Sequence, residues 1–362
     1  MNITFVTDTY TPQANGVATT LERLVKGLRE RGHAVDVIRP AVLACDEEGM
    51  QVPSIGLPGY KEVRFGFPMK LILQARWYKR RPDVIYVATE TPLGVSAISA
   101  ARALGIPAAS GFHTNFQQYM AHYQFPLLEE AAVRYLRHVH NRSTCTFVPS
   151  RDGIADLDSR GFENLELLPK GVDTKRFSPR KRSQALRQSW GAREHSLVGL
   201  YVGRIAPEKN LPLLVEAFLE IQKRIPDFRG VFVGDGPKLE ELKREYPQFH
   251  YAGIKRGEEL AEHYASADVF LFPSTTETHI VTGENGFTAP FEHREAYLDI
   301  ALRAVKQDLT QVRSNASASA RKVRWKKVIK RFEKQLSLLA AGETVLPTPE
   351  SLELEELSIS LS

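Results

Sequence analysis

The feature that most constrains this chain is a rhythm of short apolar strands and helices that runs once, stops at a linker, and starts again. In the first half the spacing predicts strands over 3–7, 34–38, 84–88, 108–111 and 145–148, with helices over 19–31, 93–104 and 127–140. Such alternation needs a crossover helix between strands, which makes the sheet parallel and the class α/β. Gly32 and Gly105 stand just past two of these helices, where a left-handed cap is wanted. The stretch 165–179, containing Leu167-Leu168-Pro169-Lys170-Gly171-Val172-Asp173, reads as a linker. Beyond it the rhythm resumes, with strands over 197–202, 230–233, 250–252 and 269–272 and helices over 211–225 and 238–246. Two α/β halves joined in this way are expected to form a cleft between them.

Composition narrows the function classes. At 362 residues the chain is long enough for two domains. It contains no run of about 18 apolar residues, and Met1 leads directly into a strand without a charged start and apolar signal core, so a cytosolic protein is expected. Cys45 and Cys145 are too few for a disulfide framework or a zinc cluster. The net charge of +5 suits an anionic ligand or membrane surface and is too mild to indicate nucleic acid.

The sharpest local signal is Val202-Gly203-Arg204-Ile205-Ala206-Pro207-Glu208-Lys209-Asn210. An all-apolar strand ends in glycine, and Arg204 and Lys209 follow before a helix begins. Two cations and a helix N-terminus at a strand's carboxyl end can hold a diphosphate and stabilise it as a leaving group without a metal. Gly234-Asp235-Gly236-Pro237 is a second strand-end loop near the same place, although a glycine pair often only turns the chain.

In the first half, the loop 8–17 feeds a helix that begins near Ala18, and Gly16 there lets backbone N–H groups approach a phosphate or sugar. An ordinary turn also explains that glycine. Gly111-Phe112-His113-Thr114 closes another strand of the same half, so His113 should face the same side and could hydrogen-bond a sugar hydroxyl. Tyr119, His122 and Tyr123 either add polar handles or pack. The stretch Lys70–Arg81 mixes apolar, aromatic and basic residues. It fits an anionic membrane surface, or a helix packed on the sheet with a solvated basic face.

Together, Asn15-Gly16-Val17, His113-Thr114, Pro169-Lys170-Gly171-Val172-Asp173 with Phe177 and Pro179, Gly203-Arg204 with Glu208-Lys209-Asn210, Gly234-Asp235-Gly236, and 268–277 resemble glycosyltransferase family 4 over residues 1–340. The resemblance implies a GT-B fold of two Rossmann-like domains, with a nucleotide-sugar donor held mainly by the second. It also implies metal-independent transfer with retention of anomeric configuration. Gly16, His113, Arg204, Lys209 and Glu277 carry over, His113 and Glu277 as sugar contacts. The segments around Gly16 and over 111–123 look closest to the branch that uses GDP-mannose and glycosylates lipid or glycan acceptors. The nucleotide sugar is then a substrate, and no separate cofactor or metal is expected. The implied layout is an acceptor-side domain over 1–170, a donor domain over 180–320, a closing helix over 321–342 and a disordered acidic tail over 343–362.

One stretch departs from the family. After Glu277-Thr278 the family runs through a glycine, a helix with a second glutamate eight residues after the first, and another buried strand. Here His279-Ile280-Val281-Thr282-Gly283-Glu284-Asn285-Gly286-Phe287 follows at once, position 285 is Asn285, and 277–287 has no helical period. The expected consequences are a second sheet short of a strand and a donor site short of a carboxylate. The alternative reading is a catalytically impaired remnant that binds nucleotide or a partner. A nicotinamide-dependent dehydrogenase is disfavoured, since no G-x-G-x-x-G follows the first strand.

Overall fold

The computed structural model describes residues 1–11, 16–41, 49–57, 60–113, 126–273, 280, 282–290 and 293–343. The chain divides into two compact units, one of residues 1–171 with 325–362 and the other of residues 172–324.

The first unit holds β1 (Asn2–Val6), α1 (Gly16–Glu30), β2 (Ala34–Pro40), β3 (Met50–Val52), β4 (Ser54–Leu57), β5 (Tyr60–Gly66), α2 (Lys70–Lys79), β6 (Val84–Val87), α3 (Pro92–Ala103), β7 (Ala108–Gly111), α4 (Pro126–His140), β8 (Cys145–Val148), α5 (Arg151–Ser159) and β9 (Leu165–Leu167). Seven strands form one parallel sheet in the order β3-β2-β1-β6-β7-β8-β9, and β4 and β5 pair separately as an antiparallel hairpin. β1, β6, β7 and β8 are almost wholly buried, as expected of parallel strands covered on both faces. One face carries α1 through Leu21, Leu24, Val25 and Leu28. The other carries α3 and the Leu73 and Trp77 side of α2.

Reading 165–179 wholly as linker needs correction, because β9 occupies its first three residues and pairs with β8. The signal was hidden by Glu166. This buried carboxylate sits mid-strand and accepts hydrogen bonds from Arg331 and Gln335.

The second unit holds α6 (Gln184–Ser189), β10 (Val198–Val202), α7 (Leu211–Arg224), β11 (Arg229–Val233), α8 (Leu239–Glu245), β12 (His250–Gly253), α9 (Gly257–Ser266), β13 (Val269–Phe270), α10 (Arg294–Lys306) and α11 (Thr310–Lys322). Its parallel sheet runs β12-β11-β10-β13. The core is aromatic: Phe218 of α7 meets Phe228, Phe232 and Phe249 edge-on at 5.4–5.5 Å between ring centres. Buried Arg187 of α6 fixes the start of β13, holding the Asp268 carboxylate at 3.0 Å while Asp268 also accepts from the Val198 N–H. Among the described residues this sheet ends at β13, where Phe270 is 40% exposed.

The last described helix, α12 (Trp325–Ala340), belongs to the first unit. Val328, Phe332, Leu336 and Leu339 recur at helical spacing and enter the core built by Phe5, Tyr86 and Phe147. Glu333 on its rim pairs with Arg31 and His33 at 2.5 and 2.7 Å.

Candidate functional site

Both sheets begin with the strand order third, second, first, fourth. A doubly wound sheet of this order has a switch point where loops leave in opposite directions beyond the strands' carboxyl ends, and ligands bind there. The switch lies between β1 and β6 in the first unit and between β10 and β13 in the second.

In the first unit, buried Asp8 occupies that point. Its carboxylate accepts from Thr89 Oγ1 at 2.9 Å, from Thr91 Oγ1 and from the Gly66 N–H, while its own N–H donates to Thr89 Oγ1 at 3.0 Å. One side chain thus ties the loop after β1 to the loop after β6 and to the end of β5. Burial raises the Asp8 carboxyl above its usual range, against the lowering effect of those hydrogen bonds. Beside it, Glu90 meets the buried His140 at 3.1 Å, and the other imidazole nitrogen bonds Ser110, which bonds Thr146.

His113 follows β7 on the same edge of the sheet. Its Nε2 lies 2.7 Å from the Tyr86 hydroxyl, and the half-buried ring lines a small cavity with Thr20, Leu24, Phe147, Lys170 and Trp325. Burial pushes its pKa down to about 4, Glu90 acts against that shift, and Lys170 and His140 act with it. Gly16 is the first residue of α1, and its carbonyl accepts from Thr20 Oγ1 at 2.8 Å. The structure therefore brings the start of α1 and His113 to one corner of the first unit, through Thr20. Thr114, Tyr119, His122 and Tyr123 lie outside the described residues.

In the second unit the loops after β10 and β11 are joined along their backbones. Gly203 donates to the Val233 carbonyl, Ile205 to Asp235 and Lys238 to Ile205, at 2.9–3.1 Å. Gly234 makes that approach possible: it sits at φ +142°, and a Cβ on it would fall 1.9 Å from the Gly203 carbonyl oxygen. Gly234 is thus brought against the Gly203-Arg204 turn for a steric reason that a glycine pair in sequence does not by itself reveal. Arg204 is exposed at the turn, and its carbonyl accepts from Tyr201 Oη at 2.9 Å. Lys209 ends a short 3₁₀ turn, Pro207–Lys209, and lies 5.8 Å over the Phe272 ring. Asn210 then takes a left-handed conformation, φ 48°, before α7 begins. That cation–π contact links the loop after β10 to the chain leaving β13, the second switch point. Glu277 lies outside the described residues. Asn285 bonds Ser319 of α11 at 3.0 Å, and Asn315 bonds the Glu284 carbonyl, so the 282–288 turn is held to α11.

Among the described residues no three His, Cys, Asp or Glu side chains gather to hold a metal ion, and no helix is long and apolar enough to cross a membrane. Asp8, Tyr86 and Glu90 were not singled out by the sequence. Their signal is tertiary, since Asp8 and Thr89 stand 81 positions apart.

Comparison with known proteins accounts for these features. Residues 14–176 match Glycosyltransferase Family 4, and residues 196–304 match Glycosyl transferases group 1. A GDP-mannose-dependent alpha-mannosyltransferase of Corynebacterium glutamicum is 33% identical over 287 residues, covering 77% of this chain and 68% of that protein. An alpha-monoglucosyldiacylglycerol synthase of Acholeplasma laidlawii is 31% identical over 309 residues, covering 78% and 77%. Among solved structures, that of Anabaena HepE in complex with UDP superposes with a TM-score of 0.70 at 16% identity, covering 93% of this chain and 100% of that one. With both halves matched in order and the twin doubly wound sheets in place, the chain belongs to glycosyltransferase family 4 and has the GT-B fold.

Proposed function

We propose that the chain transfers mannose from GDP-mannose to a lipid or glycan acceptor with retention of anomeric configuration. The observation that carries this reading is the joined pair of loops after β10 and β11, with Arg204 and Lys209 at the carboxyl end of the central strand of the second sheet. As the bond from the sugar's anomeric carbon to the diphosphate breaks, negative charge grows on the leaving oxygen. Arg204 and Lys209 stabilise that charge more in the transition state than in the bound donor. His113 and Glu277 contact the sugar, and Gly16 and Gly234 let backbone approach the donor. The acceptor hydroxyl enters on the face the diphosphate leaves.

Mannose is favoured because the Corynebacterium relative uses GDP-mannose, and a nucleotide diphosphate donor is supported by the UDP held by HepE. The Acholeplasma relative makes a glucolipid, so sugar and acceptor class are the points to test. Incubation with GDP-mannose, GDP-glucose and UDP-glucose in the presence of lipid acceptors is expected to yield an α-mannosylated product alone. A preference for UDP-glucose overturns the mannose assignment, and a β-linked product overturns retention. The two cations do the work a metal would do, so transfer is expected to survive excess EDTA. Activity lost on chelation and restored by Mg²⁺ overturns that part.

A peripheral position at the inner membrane face fits α2. Leu73 and Trp77 are buried, whereas Leu71 and Tyr78 are 78% and 84% exposed beside exposed Lys70, Lys79, Arg80 and Arg81. Co-sedimentation with anionic vesicles, absent with zwitterionic ones, is the expected result. Among the described residues the second sheet ends at β13 with Phe270 at its margin, which favours one further reading: a chain that binds nucleotide and turns it over weakly or not at all. Calorimetric binding of GDP-mannose without transfer or hydrolysis would establish it.

A further inference from the structure

We infer that Tyr86 is a positioning residue that fixes the tautomer and orientation of His113, so that this imidazole presents its Nδ1–H, as a neutral donor, to whatever occupies the site. The inference deepens the reading of His113 as a sugar contact and rests on it.

Three observations carry it. The Tyr86 ring is wholly buried and held on three sides, by Phe5 and Phe332 at 5.1 Å between ring centres and by Phe147 at 6.1 Å. It cannot turn its hydroxyl elsewhere. The hydroxyl lies 2.7 Å from His113 Nε2, and among the described residues that is its one hydrogen bond. Gly111 opens the room for the pair: a Cβ there would stand 2.1 Å from the Tyr86 hydroxyl oxygen and 2.6 Å from His113 Nε2. A residue with any side chain at 111 would separate them.

The direction of the bond follows from protonation. Burial holds His113 neutral through the physiological range and raises the Tyr86 phenol, so one ring nitrogen carries a proton and the phenol keeps its own. If Nε2 donated, the buried phenol proton would have no acceptor among the described residues, and an unmade buried hydrogen bond is costly. The phenol therefore donates to Nε2, and the remaining proton sits on Nδ1. Lys170, Glu90 and His140 are the charged or titratable groups acting on the ring. Lys170 and His140 oppose its protonation and the Glu90 carboxylate favours it. With Nε2 occupied, an outside ligand meets Nδ1.

The test uses the full chain with ¹⁵N-labelled histidine, the His113 signals being assigned by their loss in His113→Gln. Wild type is expected to show His113 with Nδ1 protonated and Nε2 bare at pH 7. Tyr86→Phe keeps the packed ring and removes only the donor, so the spectrum should move toward the Nε2–H form. The kcat for transfer should fall about fivefold to tenfold, the size of one neutral hydrogen bond, with donor KM little changed. A Gly111→Ala variant should move the spectrum in the same way. Its loss of stability should shrink in the Tyr86→Phe background, where the collision is relieved. An Nε2–H tautomer in wild type, or a spectrum unmoved by Tyr86→Phe, overturns the inference, as does a moved spectrum with unchanged kcat when His113→Gln is impaired. Unchanged transfer in His113→Gln instead overturns the sugar-contact reading and leaves the tautomer result standing by itself.

Discussion

Lys209 and Arg204 are held by different means, and the difference matters for what each can do. A cation–π contact such as Lys209 makes with Phe272 gives position without neutralising charge, so the ammonium keeps its attraction for an anion. Arg204 sits on the turn whose carbonyl is pinned by Tyr201, which orients its backbone. Arg204→Ala and Lys209→Ala are each expected to weaken GDP binding by more than about tenfold, since a charge-assisted contact contributes roughly 1.5–3 kcal/mol. Titration calorimetry checks this, and unchanged affinity in both variants removes the diphosphate role. His113 makes a second residue-scale expectation. Its pKa is lowered from 6.5 to about 4, so between those values the unfolded chain takes up a proton that the folded chain refuses. Stability should fall as pH drops through that window, by up to about 1.4 kcal/mol per pH unit for one proton. His250 is lowered too and adds a slope of the same sign; Asp8, raised by burial, works the other way as acid protonates it. Urea midpoints at pH 7 and pH 5 should lie closer together in His113→Gln than in wild type.

Elements were legible in the sequence wherever an apolar run was unbroken. Leu197–Val202 reads as a buried strand because every residue favours that environment, and β10 lies within it. The motif on its end was equally plain, because glycine, arginine and lysine fall within a few positions of one another. Legibility failed where the deciding partner is distant or the pattern is polar. Glu166 disguised β9, and its partners Arg331 and Gln335 come from α12, more than 160 positions on. α11 has no buried residue to set a period, and neither β3 nor the β4–β5 hairpin was read from the sequence. The Tyr86–His113 pair joins the ends of two neighbouring strands and carries no local mark. α12 was expected only as the closing helix that the family resemblance implies, and its buried stripe of Val328, Phe332, Leu336 and Leu339 is what packing adds. Phe332→Ala should cost about 3–5 kcal/mol, the usual loss for a buried phenylalanine, and lower the melting temperature of the first unit. Leu338→Ala on the same helix, outside the stripe of buried residues, serves as the control and should change little.

For the whole molecule, the second sheet's margin at β13 sets the expectation. A parallel sheet normally buries both faces, yet among the described residues this one ends at β13, where Phe270 stands exposed. Inserting a family-like helix and strand between Thr278 and His279 should cover apolar surface at about 25 cal/mol per Å² and pair open backbone groups. The restored chain is expected to melt later and transfer sugar faster, and equal stability and activity would show the short form to be sufficient. The first unit is also discontinuous, built from residues 1–171 and from α12, and this sets an order of events during synthesis. When the ribosome has made β8, the slot between Phe5, Tyr86 and Phe147 that Phe332 will fill is still open. It stays open while residues 172–324 are made, roughly 8–30 s at about 5–20 residues per second. The unit begun second therefore finishes first. A nascent chain stalled once residue 324 has left the exit tunnel should yield a protease-resistant fragment from its later half, while the earlier half is cut.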